Sequence, residues 1–375
     1  MMMPNNPFLI AGYAGPDYFC DRENETRKII DAFHNGRNQT IIAPRRMGKT
    51  GLIMHALYHM GQENRDIRTF YMDIYPTRNL GDFVRLFAST ILGQLDSTPQ
   101  KILTLASKVL RNCRPSISFD DLTGNPKITI DIADNEEEST LKDIFSYLKS
   151  SEKRCCIAID EFQQINEYPE SGVEALLRSY IQFVPNVNFI FAGSRKHVMQ
   201  EMFVSAKRPF YQSTQLLSIE AIDKVKYCDF SKALFSNAEL ELPKHVFDFV
   251  YDRFDGHTWY IQYVMNRLWG YRHNADIPLA VNAMNEIIAE QGYAYADLMK
   301  AYPAGSVKLM KAIAREGKIN EILSGSFISK YRLNAASSVS SALKKLIANE
   351  IVYKSDDGYM IYDRFMAEWL QAQAF

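Results

Sequence analysis

The sequence is poor in the features that mark several protein classes. It holds five cysteines in 375 residues, at 20, 113, 155, 156 and 228. None forms a C-x-x-C pair, and none lies at zinc spacing from a histidine, so a disulfide scaffold and a zinc module are not expected. The seven histidines are scattered without metal spacing. No run of about 18 apolar residues occurs, so no membrane span is expected. The start, Met1 to Asn6, has neither a charged beginning nor a long apolar run, and no signal peptide is expected. The formal charge is −1, which gives no bulk attraction to nucleic acid or an acidic membrane. Unpaired thiols suit a reducing compartment, and the cytoplasm is the expected location.

What is present is a core-forming chain of two or three domains. Apolar residues make up 47% of it, with 22 Phe and 21 Tyr mostly at core-like spacing. The most informative stretch runs from Ile41 through Ala43-Pro44-Arg45-Arg46-Met47-Gly48-Lys49-Thr50-Gly51. A β-rich segment precedes it and apolar residues at helical spacing follow it. Gly48-Lys49-Thr50 ends the pattern G-x-x-x-x-G-K-[ST], with Ala43 in place of the first glycine. In such a loop, here Ala43 to Gly51, the available backbone N–H groups cradle phosphates and the following helix aims its positive end at them. Lys49 would reach the β- and γ-phosphates of ATP, and the Thr50 hydroxyl would ligate Mg²⁺. Alanine fits at 43 if its φ is negative.

A second motif lies downstream. Arg154 to Asp160 is apolar without a break and ends in Asp160-Glu161. Such a run reads as a strand buried on both faces, with its acids where open α/β sheets bind ligands. Asp160 would hold Mg²⁺, and Glu161 would be the general base for the attacking water. A third buried strand, Val187 to Gly193, ends at Ser194-Arg195. Ser194, or else Arg195, could touch the γ-phosphate or the water. The alternative is a plain strand-to-helix turn with Ser194 as N-cap.

Together, Arg45 to Thr50, Ile159 to Gln163 and Ala192 to Ser194 resemble the archaeal-type P-loop ATPases, relatives of the AAA+ and STAND classes. Asn6-Pro7-Phe8 and Phe19 to Glu23 resemble the entry segment of that family. Gly256-His257-Thr258-Trp259-Tyr260-Ile261-Gln262 is similar to its Gly-His-Pro lid motif, with Thr258 in place of proline. The resemblance implies ATP binding, a central acid-bearing strand, a helical lid and a C-terminal winged helix. Family members often carry an arginine after the fourth strand. Here Arg208 precedes Pro209-Phe210-Tyr211, and Gln212-Ser213 stand in that place.

The expected fold is α/β: a parallel P-loop sheet of order 5-1-4-3-2, counting its five strands along the chain, with a helical lid and a winged helix. The ATPase core is expected over residues 1–219, with an inserted β-hairpin at 111–137. The lid is expected over 220–300 and the winged-helix-like domain over 301–375. A helix is expected from Leu80 to about Leu110, and in the last domain from Val307 to Arg315, Asn320 to Tyr331 and Ala335 to Asn349. Asp357-Gly358 between apolar runs signals a hairpin. Tyr18 and Phe19 either stack on the base or pack an entry loop. Residues 301–375 carry ten Lys/Arg against seven Asp/Glu. The recognition helix would bear Lys344 and Lys345 on polar faces with four serines, Ser337, Ser338, Ser340 and Ser341. DNA is a possible partner there, and a protein contact the alternative. The leading expectation is an ATP- and Mg²⁺-dependent switch, slow without a partner. Competing readings are a nucleotide-gated DNA-binding regulator and an interaction scaffold with a vestigial site.

Overall fold

The computed structural model describes residues 4–64, 66–95, 113–119, 126–133, 135–355 and 358–374. Nearly every position in the three apolar runs of the sequence is buried. Strand β1 (Gln39–Ile42) is buried throughout, as is β6 (Val187–Gly193), and β5 (Arg154–Asp160) is exposed only at Arg154. Strands of this kind need cover on both faces, which a parallel sheet with flanking helices supplies. They join β2 (Ile67–Asp73) and β7 (Gln215–Ser218) in one sheet of order β2-β5-β6-β1-β7, every pair parallel. Read from the other edge, this is the expected 5-1-4-3-2 order.

Alternate residues feed opposite faces of the sheet. On one face Cys156, Ala158, Ile190 and Ala192 pack against helices α1 (Glu23–His34) and α2 (Lys49–Glu63), through Ile29, Phe33, Leu52, Ile53 and Ala56. On the other, Ile157, Ile159, Phe189 and Phe191 pack with Phe83, Phe87, Ile144 and Phe145. Phe162, Phe191, Phe203 and Phe210 close that side, with ring centroids 4.5–5.9 Å apart. Large buried aromatics of this kind contribute about 0.5–1.5 kcal/mol per pair beyond area burial.

Helix α3 is described over Leu80–Leu95; the rest of the helix expected to Leu110 lies outside the described residues. β3 (Cys113–Phe119) and β4 (Pro126–Ile132) form a separate antiparallel pair. The residues joining them, 120–125, lie outside the described residues, as do Asp134 and Asp356-Asp357.

The chain divides into two compact units. The first comprises Met1–Phe230 with His257–Trp259, and the second Ser231–Gly256 with Tyr260–Phe375. The helical lid comprises Lys224–Ser236, Lys244–Arg253, Thr258–Gly270 and Ile277–Lys300. The winged helix follows with Ala304–Glu316, Gly325–Lys330 and Ala336–Ala348, then β8 (Val352–Ser355) paired to β9 (Gly358–Ile361). Ile319 bridges Tyr359 and adds a third short edge to this wing. Gly358 (φ 120°) makes that possible, because a Cβ there would lie 2.6 Å from the Ile319 carbonyl oxygen. The helix expected from Asn320 starts only at Gly325. Ile319 is drawn into the wing, and the Ser324 side chain caps the short helix by accepting from Phe327 N. A last helix, Arg364–Ala372, was not foreseen. Asp363 caps it by accepting from Met366 N, and Phe365, Met366 and Leu370 bury its inner face.

Candidate nucleotide site

The parallel register decides which chain segments meet. β1 ends at Ile42 beside Gly193, and β2 ends at Asp73 beside Asp160. The loop after β1 therefore opens next to the acids ending β5 and the serine after β6. Within the loop, Arg46 (φ 69°) and Gly48 (φ 85°) are left-handed. Ala43 is not, and it is buried, so a methyl group is tolerated where glycine opens the pattern. The buried Arg22 braces the loop from behind, its Nη2 donating to Met47 O at 3.1 Å. Trp259 N donates to Arg46 O at 3.0 Å, and the Arg46 guanidinium lies 4.2 Å from the Trp259 ring centroid. Arg45 lies 5.9 Å from the Tyr75 ring. Pro44 precedes the turn, and a Cβ on Gly51 would contact Phe19 at 3.5 Å.

Gly48 is the N-cap of α2, so Lys49 and Thr50 occupy its first turn, where orphan N–H groups and the helix dipole favour an anion. The Lys49 ammonium lies 2.6 Å from Asp160 Oδ1 and 3.0 Å from Glu161 Oε1. Thr50 Oγ donates to Asp160 Oδ2 at 2.8 Å, and Tyr71 OH donates to the same oxygen at 3.0 Å. Burial alone would push the Asp160 carboxyl up. The Lys49 charge and the hydrogen bonds from Lys49, Thr50 and Glu161 N outweigh it and hold the group below its ordinary value. Asp73, beside it in the sheet, is shifted the other way, raised by burial and by the charges of Asp160 and Glu161.

Glu161 sits in the left-handed region (φ 55°), an uncommon conformation for a residue with a side chain. Its Oε2 accepts from Ser194 Oγ at 2.8 Å and from the Gln163 amide. Ser194 is thus not an N-cap: Arg195 holds that position of the next helix. Its hydroxyl is bound to the glutamate. Arg195 points elsewhere, to Glu167 at 2.8 Å. Arg208 pairs with Glu174 and Asn166. Phe19 stacks on His55, with centroids 4.1 Å apart.

The structure therefore brings Lys49, Thr50, Asp160, Glu161 and Ser194 into one hydrogen-bonded cluster. It adds Tyr71, Asp73 and Gln163, which the sequence reading did not single out. A signal for the first two existed: in the expected order the second strand lies beside the acid strand, which puts its terminal Asp73 next to Asp160. The donor set is all oxygen around Thr50 and Asp160, the chemistry that magnesium prefers. The lysine that bridges both acids is a compact cation on a four-carbon stem, of the right charge for a phosphate chain. The residues fit a nucleotide and its metal.

A family model described as an ATPase domain predominantly from Archaea matches residues 19–264. The chain belongs to this ATPase family. A second model, for a probable winged helix domain, matches residues 293–372. Among solved structures, the Walker-type ATPase paby2304 of Pyrococcus abyssi superposes with a TM-score of 0.67 at 18% identity, covering 97% of this chain and 99% of that one. The ORC2 protein of Aeropyrum pernix, in its ADPNP-ADP complexes, gives 0.60 at 14% identity, covering 98% and 97%. Both likenesses are of fold. No curated protein matches the chain. Among the described residues, no helix of this ATPase is long and apolar enough to cross a membrane.

Proposed function

We propose that the protein binds ATP with Mg²⁺ and hydrolyses it slowly, as a conformational switch in a regulatory or signalling role. The observation that carries this reading is the contact of Lys49 and Thr50 with Asp160 and Glu161 at 2.6–3.0 Å across two neighbouring chain segments. The available backbone N–H groups of the loop 43–51 would hold the phosphates. Lys49 would leave the acids for the β- and γ-phosphates, and Thr50 and Asp160 would hold the metal. Magnesium, when bound, would neutralise charge developing on the phosphate oxygens. Glu161 would take the proton of a water whose oxygen bonds to the γ-phosphorus as the bond to the β–γ bridging oxygen breaks, leaving ADP and phosphate. Ser194 would act by aiming Glu161.

The working domains in this reading are a core (1–219) with its inserted hairpin (111–137), a lid (220–300) that closes over nucleotide, and a winged helix (301–375) that the lid moves. Arg195 pairs with Glu167, and Arg208 with Glu174 and Asn166, which supports slow turnover until a protein partner completes the site. Four cysteines buried as free thiols support a cytoplasmic setting. Titration with Mg-ATP and a phosphate-release assay test the reading. Lys49→Ala should abolish ATP binding, and Glu161→Gln should bind and not hydrolyse. If both variants hydrolyse like wild type, the assignment is wrong.

A second reading is that the winged helix binds DNA under nucleotide control. It is supported by Lys344 and Lys345, both exposed on the helix Ala336–Ala348. A salt-dependent shift of labelled duplex, weakened by replacing both lysines, is the expected result; no shift at low salt removes it.

A further inference from the structure

Thr258 opens the helix Thr258–Gly270 and lies with the first compact unit. Its Oγ1 is buried and has no hydrogen-bond partner among the described residues. A threonine inside a helix can satisfy its hydroxyl on a carbonyl of the preceding turn. At the first helical residue no preceding turn exists. The side chain faces the phosphate loop instead: a Cβ on Gly48 would lie 3.9 Å from Thr258 Cγ2 and 4.0 Å from Oγ1.

The backbone around this hydroxyl is held on several sides. Tyr227 OH donates to Thr258 O at 3.3 Å. Trp259 N donates to Arg46 O at 3.0 Å, and Trp259 Nε1 donates to Ile10 O at 2.9 Å. The Arg46 guanidinium covers the Trp259 ring. A polar atom buried without a partner costs free energy. Here it is aimed, by a fixed backbone, at the loop that would carry phosphates.

We propose that the Thr258 hydroxyl is a nucleotide-binding group, donating a hydrogen bond to a phosphate oxygen that ADP and ATP share. The inference rests on the nucleotide reading above and deepens it. It makes Thr258 the point at which the start of the lid helix senses an occupied loop, through a contact that does not depend on the γ-phosphate. The ligand would then satisfy a hydroxyl that has no partner among the described residues.

The test compares wild type, Thr258→Val, Thr258→Ser and Lys49→Ala by calorimetric titration with ADP and with ATP, and by thermal melting without nucleotide. Valine keeps the shape and removes the hydroxyl. Thr258→Val should bind ADP and ATP about tenfold or more weaker, the scale of one hydrogen bond to a charged group. Its nucleotide-free melting temperature should equal or exceed wild type, because the unsatisfied hydroxyl is gone. Thr258→Ser should stay within about threefold of wild type. A purely structural role would move the melting temperature and leave affinity alone. If wild type binds and Thr258→Val binds equally well, or if serine is as weak as valine, the inference is overturned while the nucleotide reading stands. If wild type binds neither nucleotide, the nucleotide reading itself fails.

Discussion

Removing the Lys49 ammonium should destabilise the nucleotide-free protein, apart from any effect on ATP. The group is 7% exposed and sits between Asp160, 3% exposed, and Glu161. Taking one partner from a buried ion pair costs about 3–5 kcal/mol, because a charge is left uncompensated. Asp160 would keep three donors: Thr50 Oγ, Tyr71 OH and Glu161 N. These place the expected loss for Lys49→Ala near the low end, about 3 kcal/mol at pH 7, a large fraction of a typical domain stability of roughly 5–15 kcal/mol.

The pH dependence has a definite sign. In wild type the Asp160 carboxyl is depressed against its burial by Lys49. Its contribution is present above the ordinary value of 3.8 and is lost as pH falls through the lower folded value. In Lys49→Ala burial dominates and the carboxyl rises, so the deficit is largest at neutral pH and shrinks in acid as Asp160 takes a proton. Urea unfolding followed by circular dichroism at pH 7 and pH 5 measures it, reading the transition of the first unit. The double variant Lys49→Met, Asp160→Asn removes both charges and should recover more than half of the loss. Lys49→Ala unfolding at the wild-type urea concentration at pH 7, or no recovery in the double variant, would refute the reasoning.

Other consequences can be checked with the same methods. His55 is held down to about 4 from 6.5, first by burial and then by His59. Unfolding therefore takes up a proton between those values, and stability should decline as pH falls from 6.5 towards 4, with a slope of at most about 1.4 kcal/mol per pH unit. His55→Gln should flatten that slope in urea titrations, and an unchanged slope would sink the assignment. Gly193→Ala places a Cβ 2.5 Å from Met199 Sδ and into the Gln163 side chain. It should cost about 1–3 kcal/mol in thermal melts and slow hydrolysis by disturbing Gln163 on Glu161; a variant as stable as wild type would contradict the packing. Asp276 caps the helix Ile277–Lys300 by accepting from Leu279 N at 2.7 Å. Asp276→Ala should lose about 1 kcal/mol, with Asp276→Asn restoring most of it.

Local signals carried much of the fold. The turn from β1 into α2 was legible because the loop, the cap at Gly48 and the apolar spacing of the helix lie within a few residues of each other. The buried strands were legible because a strand covered on both faces has no polar alternation to hide it. The expected span from Asn320 failed because Ile319 joins an edge contributed by Tyr359, forty residues on, and apolar spacing cannot register that competition. The helix Arg364–Ala372 was missed although Asp363 and the spacing of Phe365, Met366 and Leu370 were available.

The sequence by itself determined the chemistry: a lysine and a threonine opening a helix, an aspartate and a glutamate closing a strand, and the hydrophobic runs that require a parallel sheet. Those are properties of short segments, fixed by backbone geometry and side-chain type. Only the tertiary structure decided the partners. Strand register put Asp73 beside Asp160 and Tyr71 within reach of its carboxylate. It placed Ser194 on Glu161, and the closed fold left the Thr258 hydroxyl buried against Gly48. Hydrogen bonds act over about 3 Å, and site residues 33 to 112 positions apart come within that distance only when the whole sheet has closed.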